Sequence, residues 1–300
     1  MPWPLPKKIA FRFLFTYLIL YCIQLPPTWL WNNLVPQLAK LLGLTVFGNM
    51  KGSGDTTFHY VQVLCFLLIA ATVTLIWSIV DRRRTGYHRL YLGLRVLVRI
   101  ILGGTLISYG AAKVIQTQFP PPQLNRLLQP VGEMSPMGLL WTFMGASTPY
   151  NVFTGASEML AGVLLFFPTT TLVGALLAMA VMTQVVALNF CYDVPVKLFS
   201  THLLAESIFL VAPDARRLAN VLLLNRDVAP APRETVLQRP NHLRAAFVLK
   251  LLFLMLVAGG NLFSAWNHHQ QFDRPATFPY GIWETQSFVL NGRQRRVGNG

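Results

Sequence analysis

Long apolar runs broken by short basic loops constrain the fold of this 300-residue chain more than any other feature. A helix needs about 20 mostly apolar residues to cross the hydrocarbon core of a bilayer. Hydrophobic residues make up 53% of the chain and charged residues 12%, whereas an ordinary soluble domain is about 25% charged. The sequence therefore predicts an all-α, polytopic membrane helical bundle with no sizeable soluble domain.

Seven of these runs are predicted to be membrane spans. They cover about residues 9–25, 57–80, 90–115, 150–167, 170–190, 195–211 and 245–266. The interrupted run 29–44 predicts an interfacial amphipathic helix or a lid. Residues 137–144 predict a short helix at the membrane surface or re-entering it. After the last span, a strand-like run ends at Asn291-Gly292, a dipeptide typical of hairpins.

Positive charge in the loops sets a predicted orientation. Lys and Arg cluster before the first span, between the second and third, and between the sixth and seventh. With seven spans these three groups fall on one side, which the positive-inside rule makes cytoplasmic. We expect a multi-pass inner-membrane protein with its N-terminus cytoplasmic and its C-terminus outside. The net charge of +14 is thus a topology signal. No basic stripe with interleaved aromatics predicts a nucleic-acid partner.

Ionisable residues inside apolar runs are the candidate functional groups, because a charge at membrane depth is costly. The predicted topology places the strongest four, Lys113, Glu158, His202 and Glu206, in the outer half of the membrane, where we expect one connected catalytic cluster. Gln116, Glu133, Gln184 and Asn189 are predicted to contact substrate from the same side.

His202 and Glu206 are four residues apart and share one helix face. One interpretation is a proton relay, with the carboxylate setting the tautomer of the imidazole, or the polar end of a quinone-type pocket. Another is a buried His–Glu hydrogen bond that locks helix packing. A metal site would need further ligands; Glu158 could supply one, but the spacing is generic.

Glu158 lies on a helix face shared with Asn151, Gly155 and Gly162, whose small residues allow another helix to approach closely. We expect this face to contact the third or sixth span. Lys113 is expected to pair with Glu158 or Glu206, in a structural or a catalytic ion pair, or to extend to the headgroups. Asp193, just before Val194-Pro195, is predicted to cap the sixth span.

Short glycine-rich motifs between residues 89 and 213 resemble the DoxX-like membrane family. They are Arg95 with Gly103-Gly104, the run Gly110-Ala111-Ala112-Lys113, and Gly155 to Gly162 leading to Leu164-Leu165-Phe166-Phe167-Pro168. The resemblance implies a four-helix core formed by the third to sixth spans. It also implies membrane redox chemistry, since similar proteins include a quinone-reducing thiosulfate oxidoreductase subunit. The resemblance gives no shared set of catalytic residues, so the candidate residues are chosen by topology and polarity.

This resemblance divides the chain into five parts. Residues 1–88 form a two-span segment with an interfacial helix, 89–213 the core, 214–244 a basic cytoplasmic connection, 245–266 the seventh span and 267–300 a mostly non-helical outside tail. The leading hypothesis is a protein that handles a quinone or a small substrate at an outward-facing polar pocket. The alternatives are a small-solute transporter or channel-like protein, and a non-catalytic membrane subunit that holds a partner subunit.

Overall fold

The computed structural model describes residues 2–23, 28–46, 54–230, 240–272, 281–282, 288–290 and 293–295. Within them the regular secondary structure is helical except for one short hairpin. The helices are α1 (Leu5–Ile23), α2 (Thr28–Leu41), α3 (Thr57–Val80), α4 (His88–Val114), α5 (Leu124–Leu128), α6 (Pro136–Gly145), α7 (Thr148–Phe166), α8 (Thr171–Cys191), α9 (Lys197–Val211), α10 (Ala215–Leu222) and α11 (Pro240–Phe272).

Three of the described helices, α3, α4 and α8, are long and apolar enough to cross a membrane. The number is four if α1 and α2, which are bent by 117°, count as one broken span. These helices are compatible with the predicted membrane protein. By the same measure α9 is short, with 15 residues, and in α11 the apolar part is Leu251–Ser264. The total of seven spans stays a prediction.

The C-terminal tail contains the predicted hairpin. Strand β1 (Phe288–Leu290) pairs with strand β2 (Arg293–Arg295) in antiparallel register, with Leu290 opposite Arg293. The two residues that join the strands, and most of the predicted tail from 273 onward, lie outside the described residues.

A buried arginine lies where α1 begins, α3 ends and α4 begins. Arg12 of α1 is 1% exposed. Its guanidinium donates to the Tyr87 hydroxyl, to Ser78 Oγ at 2.8 Å and to the carbonyl of Asp81 at 3.0 Å. Because Asp81 is the C-cap of α3, Arg12 satisfies a carbonyl that the helix leaves without an internal partner.

Two arginines of α4 donate in the same way to carbonyls near the C-terminal ends of α7 and α9. Arg99 Nε donates to the carbonyl of Leu165 at 2.9 Å, and Arg95 Nη2 donates to that of Leu210 at 3.5 Å. Cations next to helix C-termini are also favoured by the helix dipole. We call this side of the bundle the arginine end. Both side chains therefore bind neighbouring helices.

A glycine seam joins α4 to α7. A Cβ atom added at Gly110 would lie 2.5 Å from the carbonyl oxygen of Gly155, and one added at Gly155 would lie 2.6 Å from that of Gly110. Two turns further along, a Cβ atom added at Gly162 would lie 2.6 Å from the carbonyl oxygen of Gly103. The two backbones touch at both crossings, so the Gly155–Gly162 face packs on the third span, one of the two partners predicted for it.

The remaining helices surround this pair. Helix α8 packs on α7 and α9, and α11 packs on α4, where Ser108 Oγ donates to Asn261 Oδ1 at 2.6 Å. The run at 29–44, predicted to be an interfacial amphipathic helix or a lid, contains α2. It buries Trp31, Val35 and Ala39, one per turn, against α3.

Candidate functional site

Lys113 and Glu158 form a buried ion pair across the glycine seam. Lys113 lies in the last turn of α4 and Glu158 in the middle of α7, and their side chains are 8% and 3% exposed. The ammonium donates to Glu158 Oε1, while Oε2 is buried with no partner among the described residues. The close approach of the helices at Gly110 and Gly155 allows these two side chains to meet.

Amide side chains surround the end of the bundle next to this pair. Gln116 donates to Thr148 Oγ1 at 2.8 Å, and Asn151 Nδ2 donates to the carbonyl of Phe119 at 3.1 Å. The oxygens of Asn151 and Gln118 are buried with no partner in the described part of the chain. The chain turns sharply after α4, since Gln116 has a φ of 58°. These amides hold the α4–α7 connection over the ion pair.

His202 is held by α1 and by its own helix. Its Nδ1 lies 2.7 Å from the carbonyl of Leu198, which can only accept, so Nδ1 carries the proton. Its Nε2 lies 2.6 Å from the Tyr17 hydroxyl, which therefore donates to it. The ring of Tyr21 stacks on the imidazole with a centroid distance of 3.9 Å. The prediction that Glu206 sets the tautomer is wrong, because Leu198 and Tyr17 do so.

Glu206, one turn further along α9, is 1% exposed. Its Oε1 accepts a hydrogen bond from Cys22 Sγ of α1 at 3.5 Å. Its Oε2 is buried with no hydrogen-bond partner among the residues that the structure describes. Lys113 contacts the other carboxylate, so the predicted pairing of Lys113 with Glu158 is the one that forms.

Two tyrosines lie near the two pairs. Tyr109 of α4 is close to Glu158 and to Tyr21, and Tyr21 is close to Glu206. No hydrogen bond within the described ranges joins Lys113 or Glu158 directly to His202 or Glu206. The four residues predicted as one cluster therefore lie in two pairs. We call these four residues, together with Tyr17, Tyr21, Cys22 and Tyr109, the polar network.

The other predicted substrate contacts differ in position. Asn189 is buried and donates to Ser200 Oγ at 2.9 Å, which ties the end of α8 to the start of α9. Gln184 is exposed on α8, and Glu133 is exposed in a 3-10 turn. These two side chains do not join the polar network.

Asp55, just before α3, caps α9. Its two carboxylate oxygens accept from the backbone N–H groups of Lys197 at 2.6 Å and Leu198 at 3.0 Å. The capping role predicted for Asp193 is therefore wrong. Asp193 adopts a positive φ of 50° and pairs with the Lys197 ammonium at 2.6 Å. The sequence missed Asp55 because a cap supplied from 142 residues away leaves no local pattern.

Residues of α1 are the main part of the site that sequence reasoning missed. Tyr17, Tyr21 and Cys22 contact His202 or Glu206, yet α1 lies outside the segment that resembles the DoxX-like family. The available signal was the i, i+4 spacing of the two tyrosines inside an apolar run. In the described ranges, no group of three His, Cys, Asp or Glu side chains is arranged to hold a metal ion.

Comparison with known proteins gives one informative match. The chain is 32% identical over 132 residues to the uncharacterized protein YwoB of Bacillus subtilis (strain 168). The match covers 41% of this chain and 78% of that protein. No protein-family model matches the chain, and no solved structure matches it significantly.

Proposed function

The chain belongs to the same family as the uncharacterized Bacillus subtilis protein YwoB, and we propose that it is a DoxX-like integral membrane protein that handles a quinone or a similar small redox partner at its polar network. The observation that carries this proposal is the Tyr17–His202 hydrogen bond of 2.6 Å beside the buried Glu206. An ionisable group inside a membrane protein is a functional-site hypothesis by default, and such groups mark substrate paths and proton relays.

The chemistry of the network suits a quinone. Reducing a quinone to a quinol adds two electrons and two protons to its carbonyl oxygens. Tyr17, His202, Cys22 and Glu206 all carry exchangeable protons, and the stacked ring of Tyr21 supplies the flat aromatic surface that such a ring packs on. The electrons would come from a partner redox protein. The residues of this chain would bind the ring and supply its protons.

The proposed topology has seven spans, an inner-membrane location, a cytoplasmic N-terminus and a DoxX-like core at residues 89–213. The arginine end would then be the cytoplasmic side, and Lys113 would lie towards the outside. The support is the concentration of Arg12, Arg95 and Arg99 at one end of the helices, in line with the basic loops.

Reporter fusions test this topology. A reporter joined after Arg84 should report the cytoplasm and one joined after Asn291 the outside, because an odd number of spans separates them. The assay is paired alkaline phosphatase and fluorescent protein fusions, each checked for equal expression. The same location for both fusion points would contradict the proposed topology.

Quinone retention tests the function. The protein purified in mild detergent is extracted with organic solvent, and quinone is measured by its ultraviolet absorbance. We expect the wild type to retain quinone. His202→Gln should lose it while melting within a few degrees of the wild type, because the amide still donates to the Leu198 carbonyl. His59→Gln is the matched control, since His59 contacts Thr56 at the start of α3 and lies outside the network.

Two outcomes count against the redox proposal. One is a wild-type protein that holds no quinone after purification from quinone-containing membranes. The other is equal quinone retention in the wild type and His202→Gln, since the proposed ring contact would then contribute nothing.

A further inference from the structure

Charge balance inside the polar network singles out Glu206. The network contains two buried carboxyl groups, Glu158 and Glu206, and one ammonium, Lys113. His202 adds no charge in the tautomer that its two hydrogen bonds define. Lys113 contacts Glu158, so the charge of Glu158 is compensated and that of Glu206 is not. An isolated buried carboxylate is so costly that such a group takes up a proton instead.

Glu206 is exceptional among the described acidic residues. Each of the others is exposed or receives compensation from a cation or backbone N–H groups. These are Asp55 on the N–H groups of α9, Asp81 with Arg84, Glu158 with Lys113, Asp193 with Lys197, Asp214 with Arg217, and the exposed Glu133 and Asp227. The partner of Glu206 is a thiol at 3.5 Å, which is a weak donor.

We infer that Glu206 is a proton-binding site, neutral at rest, that gives its proton to an acceptor bound in the polar network and then regains one from water. Oε2 is the atom that carries the proton, because Oε1 accepts from Cys22. The titratable groups around it are Tyr21 and Cys22 of α1 and His202 of α9, and Tyr17 and Tyr109 lie next to Tyr21.

The proposed exchange is a balanced proton transfer. One proton leaves Oε2 for an acceptor bound in the network and leaves Glu206 as a carboxylate. One proton from the aqueous phase then restores the neutral carboxyl. This inference goes beyond the quinone proposal, because it holds for any acceptor that the network binds.

Infrared difference spectroscopy tests the proton on Glu206. Purified protein without added quinone is measured at neutral pH in H2O and D2O, and the carbonyl stretch of a protonated carboxyl group is recorded. We expect the wild type to show this band, with a shift in D2O, and Glu206→Gln to lack it. The matched control is Glu133→Gln, whose exposed carboxyl is ionised at this pH, and which should keep the band.

Two further variants test the inference if the Glu206→Gln protein fails to fold. Lys113→Met should give about twice the band area, because Glu158 loses its counter-ion and takes up a proton as well. Cys22→Ala should move the band to higher frequency, since it removes the hydrogen bond that Oε1 accepts. A wild type with no band, a band that persists in Glu206→Gln, or a band unchanged in both further variants would overturn the inference. Because the band reports a proton on a carboxyl group and not the quinone content of the sample, the result is independent of the retention test.

Discussion

Glu158→Gln is expected to cost about 3–5 kcal/mol of folding stability, because it leaves the Lys113 ammonium buried without its counter-ion. The side chains of the pair are 8% and 3% exposed, so water does not reach the charge. Thermal unfolding in mild detergent, followed by intrinsic tryptophan fluorescence, measures the change. Asp193→Asn is the matched control, because it removes an acidic partner of Lys197 that is 82% exposed, and it should leave the melting temperature nearly unchanged.

The double variant Lys113→Met, Glu158→Gln separates the charge from the rest of the contact. Removing both partners leaves no isolated charge, so this protein should be more stable than Glu158→Gln alone. If the double variant loses as much folding stability as the two single variants together, the two residues act independently. That result would also remove the electroneutrality argument for the proton on Glu206.

The local part of this site could be predicted from the sequence. Asn151, Gly155, Glu158 and Gly162 repeat at helical spacing, and small residues on one face require a neighbouring backbone to be close. That pattern predicted the burial of Glu158, while the partner of Lys113 stayed open between Glu158 and Glu206. The physical reason is that the glycines and the charged side chain lie on the same face of an apolar helix. Only one rotation of the helix about its axis therefore packs the glycines against a neighbour and also buries the charge beside a partner.

The contribution of α1 could not be predicted in the same way. Lys7, Lys8 and Arg12 were interpreted together as a topology signal, yet Arg12 is buried and binds Tyr87 and the end of α3. Which helix faces His202 depends on contacts between residues about 185 positions apart, and Tyr17 reaches it across that separation. Hydropathy shows that α1 is apolar but does not identify the helices that α1 packs against.

Gln184 shows the limit for a helix that is apolar nearly all round. Helix α8 has no strongly polar face, so its rotation about its own axis leaves little trace in the sequence. The prediction that Gln184 faces the site rested on its depth in the membrane alone. Contacts place Gly174, near the start of α8, against α7 instead, where an added Cβ would lie 2.9 Å from Leu164 Cβ.

Alanine at the glycine seam should destabilise the bundle even though it adds a single methyl group. A Cβ at Gly110 would lie 2.5 Å from the carbonyl oxygen of Gly155, and the reciprocal Cβ would lie 2.6 Å from that of Gly110. The obstacle is backbone in both cases, so the helices must move apart. We expect Gly110→Ala and Gly155→Ala each to cost about 1–3 kcal/mol, as overpacked cores do, and Gly155→Leu to cost more.

Gly104→Ala is the control within the same helix, because nothing lies within 4 Å of the position of its Cβ. Alanine is the better helix former by about 1 kcal/mol, so this variant should melt at or above the wild-type temperature. The seam also positions Lys113 against Glu158, since Gly110 lies one turn before Lys113 and Gly155 one turn before Glu158. Gly155→Ala in the Lys113→Met, Glu158→Gln background should therefore cost less than it does in the wild type, because the widened seam no longer separates an ion pair. Equal melting temperatures for Gly104→Ala and Gly110→Ala would mean that the two backbones do not meet at this crossing.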